Sequence, residues 1–172
     1  LSQSQQDSDA ASTSHSCTAW EKARSSDEIK AMIMREASEQ GSAAGISDVE
    51  LLGKYLIALS AHESGSGGNP SHCDSNGQVV NGDEGRSPGL FALYIPVHGN
   101  SPCNIFRMSC NIQEGVKEFI SHYKACQASG PIDYDCRQVC QDIQSRGGRD
   151  IHLHSIASSD CSAERETYEG FD

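Results

Sequence analysis

Positive charge is scarce in this chain: 13 Lys plus Arg stand against 24 Asp plus Glu, a formal net charge of −11. A surface so poor in cations cannot neutralise a run of phosphates and release their counterions, so no nucleic-acid partner is expected. Long apolar runs are also missing. The longest, Tyr55 to Leu59, is five residues, where a membrane helix needs roughly twenty, and no membrane span is expected. No charged start leads into an apolar stretch with a small-residue cleavage site, so the chain reads as mature, with any secretory signal already removed. There is no Asn-x-Ser/Thr acceptor once Asn69-Pro70-Ser71 is set aside, no internal repeat and no Cys-x-x-Cys pair. No histidine sits at a finger-like offset from two cysteines, which argues against structural zinc.

Cysteine, by contrast, is plentiful: Cys17, Cys73, Cys103, Cys110, Cys126, Cys136, Cys140 and Cys161. An even number of dispersed cysteines points to disulfides and an oxidising compartment, hence to a secreted, extracellular protein. Eight cysteines allow about 105 pairings, so connectivity stays open. Cys103 and Cys110 are close enough to close a short loop. Cys136 and Cys140, one helical turn apart, suit a helix stapled to two other places.

The 172 residues suffice for one domain with a real core and are too few for two ordinary ones. Residues 1 to 16 hold six Ser, one Thr and three Gln but no Leu, Ile, Val or Phe beyond Leu1. They cannot bury enough surface to offset ordering entropy, so they are expected to be a disordered tail or linker, followed by a single domain over residues 17 to 172. Three helices are well signalled. The first opens with the capping-box spacing Ser25 to Glu28, buries Ile29, Met32, Ile33 and Ala37, and ends at Gly41. The second starts at Ser47, with Glu50 three residues on, and carries Leu51, Leu52, Tyr55, Leu56 and Leu59, the densest apolar stripe in the chain. The third starts at Asn111 as cap, with Glu114 at its third position, and runs through Val116, Phe119, Ile120 and Tyr123 to near Cys126. A shorter helix is expected over Cys136 to Ser145. Between the second and third helices lies a long irregular stretch, with a small hairpin at Gln78-Val79-Val80 turning on Asn81-Gly82. The class is mainly α, formally α+β. An irregular segment of this length is a natural place for function.

The apolar stripe of the second helix runs into Ala61-His62-Glu63-Ser64-Gly65. A carboxylic acid at the C-terminal end of a hydrophobic helix meets the negative end of the helix dipole, and burial would act in the same direction. Both effects hold the proton of Glu63 more tightly, which suits a general acid. Downstream comes Asn81-Gly82-Asp83-Glu84-Gly85-Arg86-Ser87-Pro88-Gly89-Leu90-Phe91. A second acid in this loop completes the pair of carboxylates that glycosidic hydrolysis uses.

Leu59-Ser60-Ala61-His62-Glu63-Ser64-Gly65, then Gly82 to Phe91, then Asn111-Ile112-Gln113-Glu114-Gly115, in that order, resembles the goose-type lysozymes and soluble lytic transglycosylases. Those families carry a helix ending in Glu-Ser, a Gly-rich segment closing on Gly-Leu-Met/Phe-Gln, and an Asn-Ile-x-x-Gly helix start. The matching blocks lie within residues 51 to about 124, and the flanking parts of the chain fall outside the resemblance. It implies a mostly helical lysozyme-like domain with a small β-hairpin beside the cleft, acting on the β-1,4 link of bacterial peptidoglycan. On the matching positions, Glu63 is the catalytic acid and Asp83 the carboxylate that positions water. Ser87, Leu90 and Phe91 fall on the substrate-binding segment whose backbone lines the sugar cleft. The chain departs from the pattern at Ala92, where the family has Gln, and at Tyr94, where many goose-type lysozymes have a second aspartate. The Tyr-Asn-x-Gly segment of transglycosylases is absent.

The expectation is therefore a secreted, monomeric muramidase that needs no cofactor or metal and works best at mildly acidic pH, where the anionic wall and the acidic protein repel each other less. Alternatives are a lytic transglycosylase giving anhydro products, a chitinase or chitosanase, and an inactive wall-binding module. His152-Leu153-His154 lacks a clear third ligand, and Asp74-Ser75-Asn76-Gly77 is only a fragment of a calcium loop. Trp20 is expected in the core.

Overall fold

The computed structural model describes residues 15–65 and 67–129. The expected helix over Cys136 to Ser145, the His152/His154 pair, and the cysteines at 136, 140 and 161 lie outside the described residues, as do residues 1 to 14. The described chain is mainly helical: α1 (Ala19–Lys22), α2 (Ser26–Ala43), α3 (Val49–Ser64), α4 (Ile95–His98) and α5 (Met108–Ser129). Two short strands, β1 (Asn81–Gly82) and β2 (Ser87–Pro88), pair antiparallel with Asn81 opposite Pro88 and Gly82 opposite Ser87. Among the described residues no helix is long and apolar enough to cross a membrane.

The starts of α2 and α3 have a local cause. At α2 the Glu28 amide donates to Ser25 Oγ and the Ser25 amide donates to Glu28 Oε1, both at 3.1 Å, the reciprocal cap expected from the spacing. At α3 the expected cap moves one residue on, because the Asp48 carboxylate is the group that accepts from the Leu51 amide, at 3.0 Å. At α5 the difference is larger. Asn111 is not a cap but lies inside a helix that begins at Met108, and its side chain is turned to other parts of the chain, as described below. The hairpin also shifts: Asn81 and Gly82 are strand, not turn, and the reversal is made by Asp83 to Arg86. The expected pairing partner, Val79, instead forms an isolated bridge with Cys73.

The described residues divide into two compact units, those within 15–32 and 60–115 and those within 33–59 and 116–129. The described part of the second has a core of Ile33, Ala37, Leu51, Leu52, Tyr55, Leu56, Val116, Phe119 and Tyr123, all buried. The rings of Tyr55 and Phe119 stand 4.8 Å apart and tilted. Gly53 lets Met34 lie against the helix backbone, since a Cβ there would overlap the Met34 sulfur. Burying each large aliphatic side chain of this stripe is worth about 1.5–3 kcal/mol.

The first unit holds both candidate acids and the two disulfides of the described residues, Cys17–Cys73 and Cys103–Cys110. The second of these closes the short loop expected from the spacing. His15 and Ser16, which the composition groups with the tail, are bonded to other residues of this unit. The Val79 amide donates to the His15 carbonyl, the Cys17 amide to the Gly77 carbonyl and Arg107 Nη2 to the Ser16 carbonyl. Trp20 is not in the core. It is partly exposed, and the Arg24 guanidinium lies 4.6 Å from its ring centroid.

Candidate active site

Glu63 stands in the last turn of α3 with its side chain exposed to solvent. The helix-end half of the expected environment is present and the burial half is not, because the apolar stripe turns away before residue 63 while Ser60 and Ala61 go inward. Ser64 caps this end: its hydroxyl donates to the Ser60 carbonyl and accepts from the Ser71 amide.

Asp83 is held at the tip of the hairpin. Its carboxylate accepts a 2.6 Å hydrogen bond from the buried Ser87 hydroxyl. The backbone here is unusual, because Asp83, Glu84 and Gly85 have φ of 50°, 59° and 88°, three left-handed residues in succession. For the two that are not glycine this costs of order 1 kcal/mol or more each. Side chains impose the shape: Asn81 donates to the Gly85 carbonyl and accepts from the Ser87 amide, while Arg86 Nε donates to the Asp83 carbonyl. A strained acid fixed by several independent bonds is a recurring property of functional loops.

The segment after the hairpin joins the two other blocks of the sequence pattern. The Ser60 hydroxyl, one turn before Glu63, donates to the Leu90 carbonyl at 2.9 Å. Asn111 Oδ1 accepts from the Phe91 amide, and its Nδ2 lies 2.9 Å from both the Pro88 and Ile105 carbonyl oxygens. Gly89, at φ 85°, is needed because a Cβ would overlap the Asn111 side chain. Gly115 is needed because a Cβ would overlap the Phe91 ring. The residues that spacing picked out along the chain thus lock onto one another within one unit. Ser87, Leu90 and Phe91 are buried, at 2 %, 0 % and 8 % exposure. Any contact they make with a ligand in this state is through backbone, and the side chains serve as the floor under the loop. Ala92, which follows Phe91, is also left-handed, at φ 47°.

The sequence pattern did not disclose a buried charged cluster in the same unit. Glu21 Oε1 lies 3.1 Å from Arg107 Nη1 and Glu21 Oε2 lies 3.2 Å from His72 Nε2, with all three side chains at most 2 % exposed. The amides of Thr18 and Met108 donate to the same carboxylate. Burial works to raise the Glu21 pKa, but the hydrogen bond and charge of His72 together with the two amides outweigh it and bring it down to about 2. Half of the signal was present, since Thr18-Ala19-Trp20-Glu21 is a capping-box spacing and the box is formed. No spacing shows that the remaining lone pairs of Glu21 face residues 72 and 107. Asp74 acts structurally, because its Oδ1 accepts from the Asn76 and Gln78 amides and shapes the turn.

Comparison of the chain with protein-family models, with curated proteins and with solved structures finds no match.

Proposed function

We propose that the protein is a muramidase that hydrolyses the β-1,4 bond between N-acetylmuramic acid and N-acetylglucosamine in bacterial peptidoglycan. The observation that carries this reading is the interlock of the three sequence blocks: Ser60 on Leu90, Asn111 beneath Gly89 and Phe91, and Phe91 on Gly115. That interlock gives the ordered motif a physical reason, and it fixes the backbone on which Glu63 and the Asp83 hairpin are mounted.

In the proposed reaction Glu63, protonated at the start, donates its proton to the leaving glycosidic oxygen as the C–O bond breaks. Asp83, oriented by Ser87, accepts a hydrogen bond from the water that attacks the oxocarbenium-like carbon and takes up the proton that water releases. Solvent then restores the protonation of both acids. Disulfides in the first unit are compatible with an extracellular setting, and secretion is part of the same proposal.

The test is mass spectrometry of soluble products from purified peptidoglycan. Reducing muropeptides from the wild type, lost in the Glu63→Gln protein, support hydrolysis. Anhydro products assign a transglycosylase instead, sugar release from chitin oligomers alone assigns a chitinase, and retention on wall fragments without product assigns a binding module.

A further inference from the structure

Away from Glu63 and Asp83 the first unit has a polar cavity of about 480 Å³, whose lining includes Glu21, Lys22, His72, Cys73, Asp74 and Met108. Where Glu21 and His72 line it, one sulfur, one ring nitrogen and one carboxylate oxygen, from Cys17, His72 and Glu21, all lie within 4.8 Å of one another, and all three residues are buried. Cys17 Sγ is 3.9 Å from the His72 carbonyl oxygen and is bonded to Cys73, which brings a second sulfur to the same place. Two sulfurs and an imidazole are the donors preferred by zinc and similar borderline-soft cations.

His72 supplies an independent observation. Its Nε2 lies 3.2 Å from the Glu21 carboxylate and 3.0 Å from the Phe106 carbonyl oxygen, two acceptors, so Nε2 carries a proton. Its Nδ1 is buried and has no hydrogen-bond partner. A buried polar atom left unsatisfied costs stability and calls for a reason. An imidazole with one N–H fixed by a carboxylate and the other nitrogen left for a ligand is the arrangement that orients histidines on metals. Glu21 already receives Thr18, Met108, His72 and Arg107, two on each oxygen, so its part is to orient the ring.

We propose that Cys17, Cys73 and His72 have a second, reduction-dependent state in which they hold a zinc-class divalent cation in place of the disulfide. A dithiol reductant opens the site. One of its thiolates attacks Cys73 Sγ, since Cys73 is the partly exposed partner and Cys17 is buried, and Cys17 leaves as a thiolate. The second thiol of the reductant then displaces Cys73. The reductant departs as a cyclic disulfide, having passed two electrons to the protein. The cation binds both cysteine sulfurs as thiolates together with His72 Nδ1, and the two protons from the dithiol go to solvent along with the Nδ1 proton of the charged ring. The sulfurs separate to roughly 3.8 Å, as tetrahedral bonds of about 2.3 Å require. The fourth position faces the cavity, which also serves as the way in.

The experiment uses the full chain, reduced with a dithiol and freed of it without air, with Zn²⁺ as probe. Iodoacetamide labelling is followed at each cysteine by peptide mass spectrometry, with and without Zn²⁺. The expected result is that Zn²⁺ slows labelling of Cys17 and Cys73 by at least about tenfold, with Cys103 and Cys110 unaffected, and that a chelator reverses the effect. In His72→Gln the protection is expected to vanish. Equal rates at Cys17 and Cys73 with and without Zn²⁺ overturn the proposal, as does equal protection of all four cysteines or full protection in His72→Gln. The wild-type comparison decides the matter by itself where the variant does not fold.

Discussion

The side chain of Asn111 lies directly under Gly89, close enough that any Cβ at residue 89 would overlap it. From there Asn111 satisfies the Phe91 amide and the Pro88 and Ile105 carbonyls. A fully buried amide with three backbone partners is costly to remove. Asn111→Ala is expected to cost about 3 kcal/mol, by leaving those partners unsatisfied, and Gly89→Ala about 2 kcal/mol or more through overlap and its left-handed backbone. Urea unfolding monitored by circular dichroism checks both. Values within about 0.5 kcal/mol of the wild type, the scatter of surface changes, would contradict the role given to this contact.

Glu63→Gln changes an exposed side chain, so the midpoint of thermal unfolding should hardly move. Under the proposed mechanism, release of muropeptides should fall by about two orders of magnitude or more, the range general acid catalysis supplies. A variant that keeps over about a tenth of the wild-type rate would remove Glu63 from the mechanism.

Ser87→Ala leaves Asp83 in place but deletes its 2.6 Å hydrogen bond. The expected loss of stability is about 1 kcal/mol. The expected fall in rate is several-fold, seen in kcat more than KM. Under the proposed mechanism, Asp83→Ala removes the carboxylate that would hold the attacking water, and the substrate's own 6-hydroxyl can attack in its place. The product mixture should therefore move from reducing toward anhydro ends, which mass spectrometry reads directly.

The Glu21 carboxylate makes stability depend on acid. Its pKa is about 2 in the folded protein against an ordinary value of 4.5. A group depressed on folding stabilises the native state fully above its unfolded pKa and loses that contribution as pH falls toward its folded one. The window is therefore about pH 4.5 down to pH 2, and a shift of this size corresponds to roughly 3 kcal/mol. Glu21→Gln should flatten that part of the stability curve. It should also cost about 3–5 kcal/mol at neutral pH, because Arg107 would lose the carboxylate it is buried against. An unchanged acid limb in the variant would show that other groups govern it.

How much of this was legible in advance depends on distance along the chain. The α2 cap and the apolar stripe of α3 are local, and spacing alone located them. Asn111 shows the boundary. Its place in front of Glu114 reads as a cap, but the partners that use its side chain are Pro88, Ile105 and Phe91, which no local rule brings near. The hairpin was displaced for a related reason: Asn81-Gly82 is a strong turn signal, yet Asn81 commits its side chain to Gly85 and Ser87 and so carries the reversal forward to Asp83. The Glu21 cluster draws on residues 21, 72 and 107, and only its capping half is written in adjacent residues. At Glu63 the sequence located the helix end correctly but could not show which way the last turn faces.

The grip on residues 15 to 18 has a practical side. The main-chain bonds to His15 and Ser16, the Cys17 disulfide and the Thr18 cap all fall within four consecutive residues. Trimming the chain up to residue 14, or attaching a label there, severs none of these bonds. Trimming four residues more would remove the partner of Cys73, leave Arg107 Nη2 without its carbonyl, and uncap the helix that presents Glu21. The two cuts are separated by four residues of chain, so removing residues 15 to 18 from a chain already cut at residue 14 should lower the melting temperature in one abrupt step.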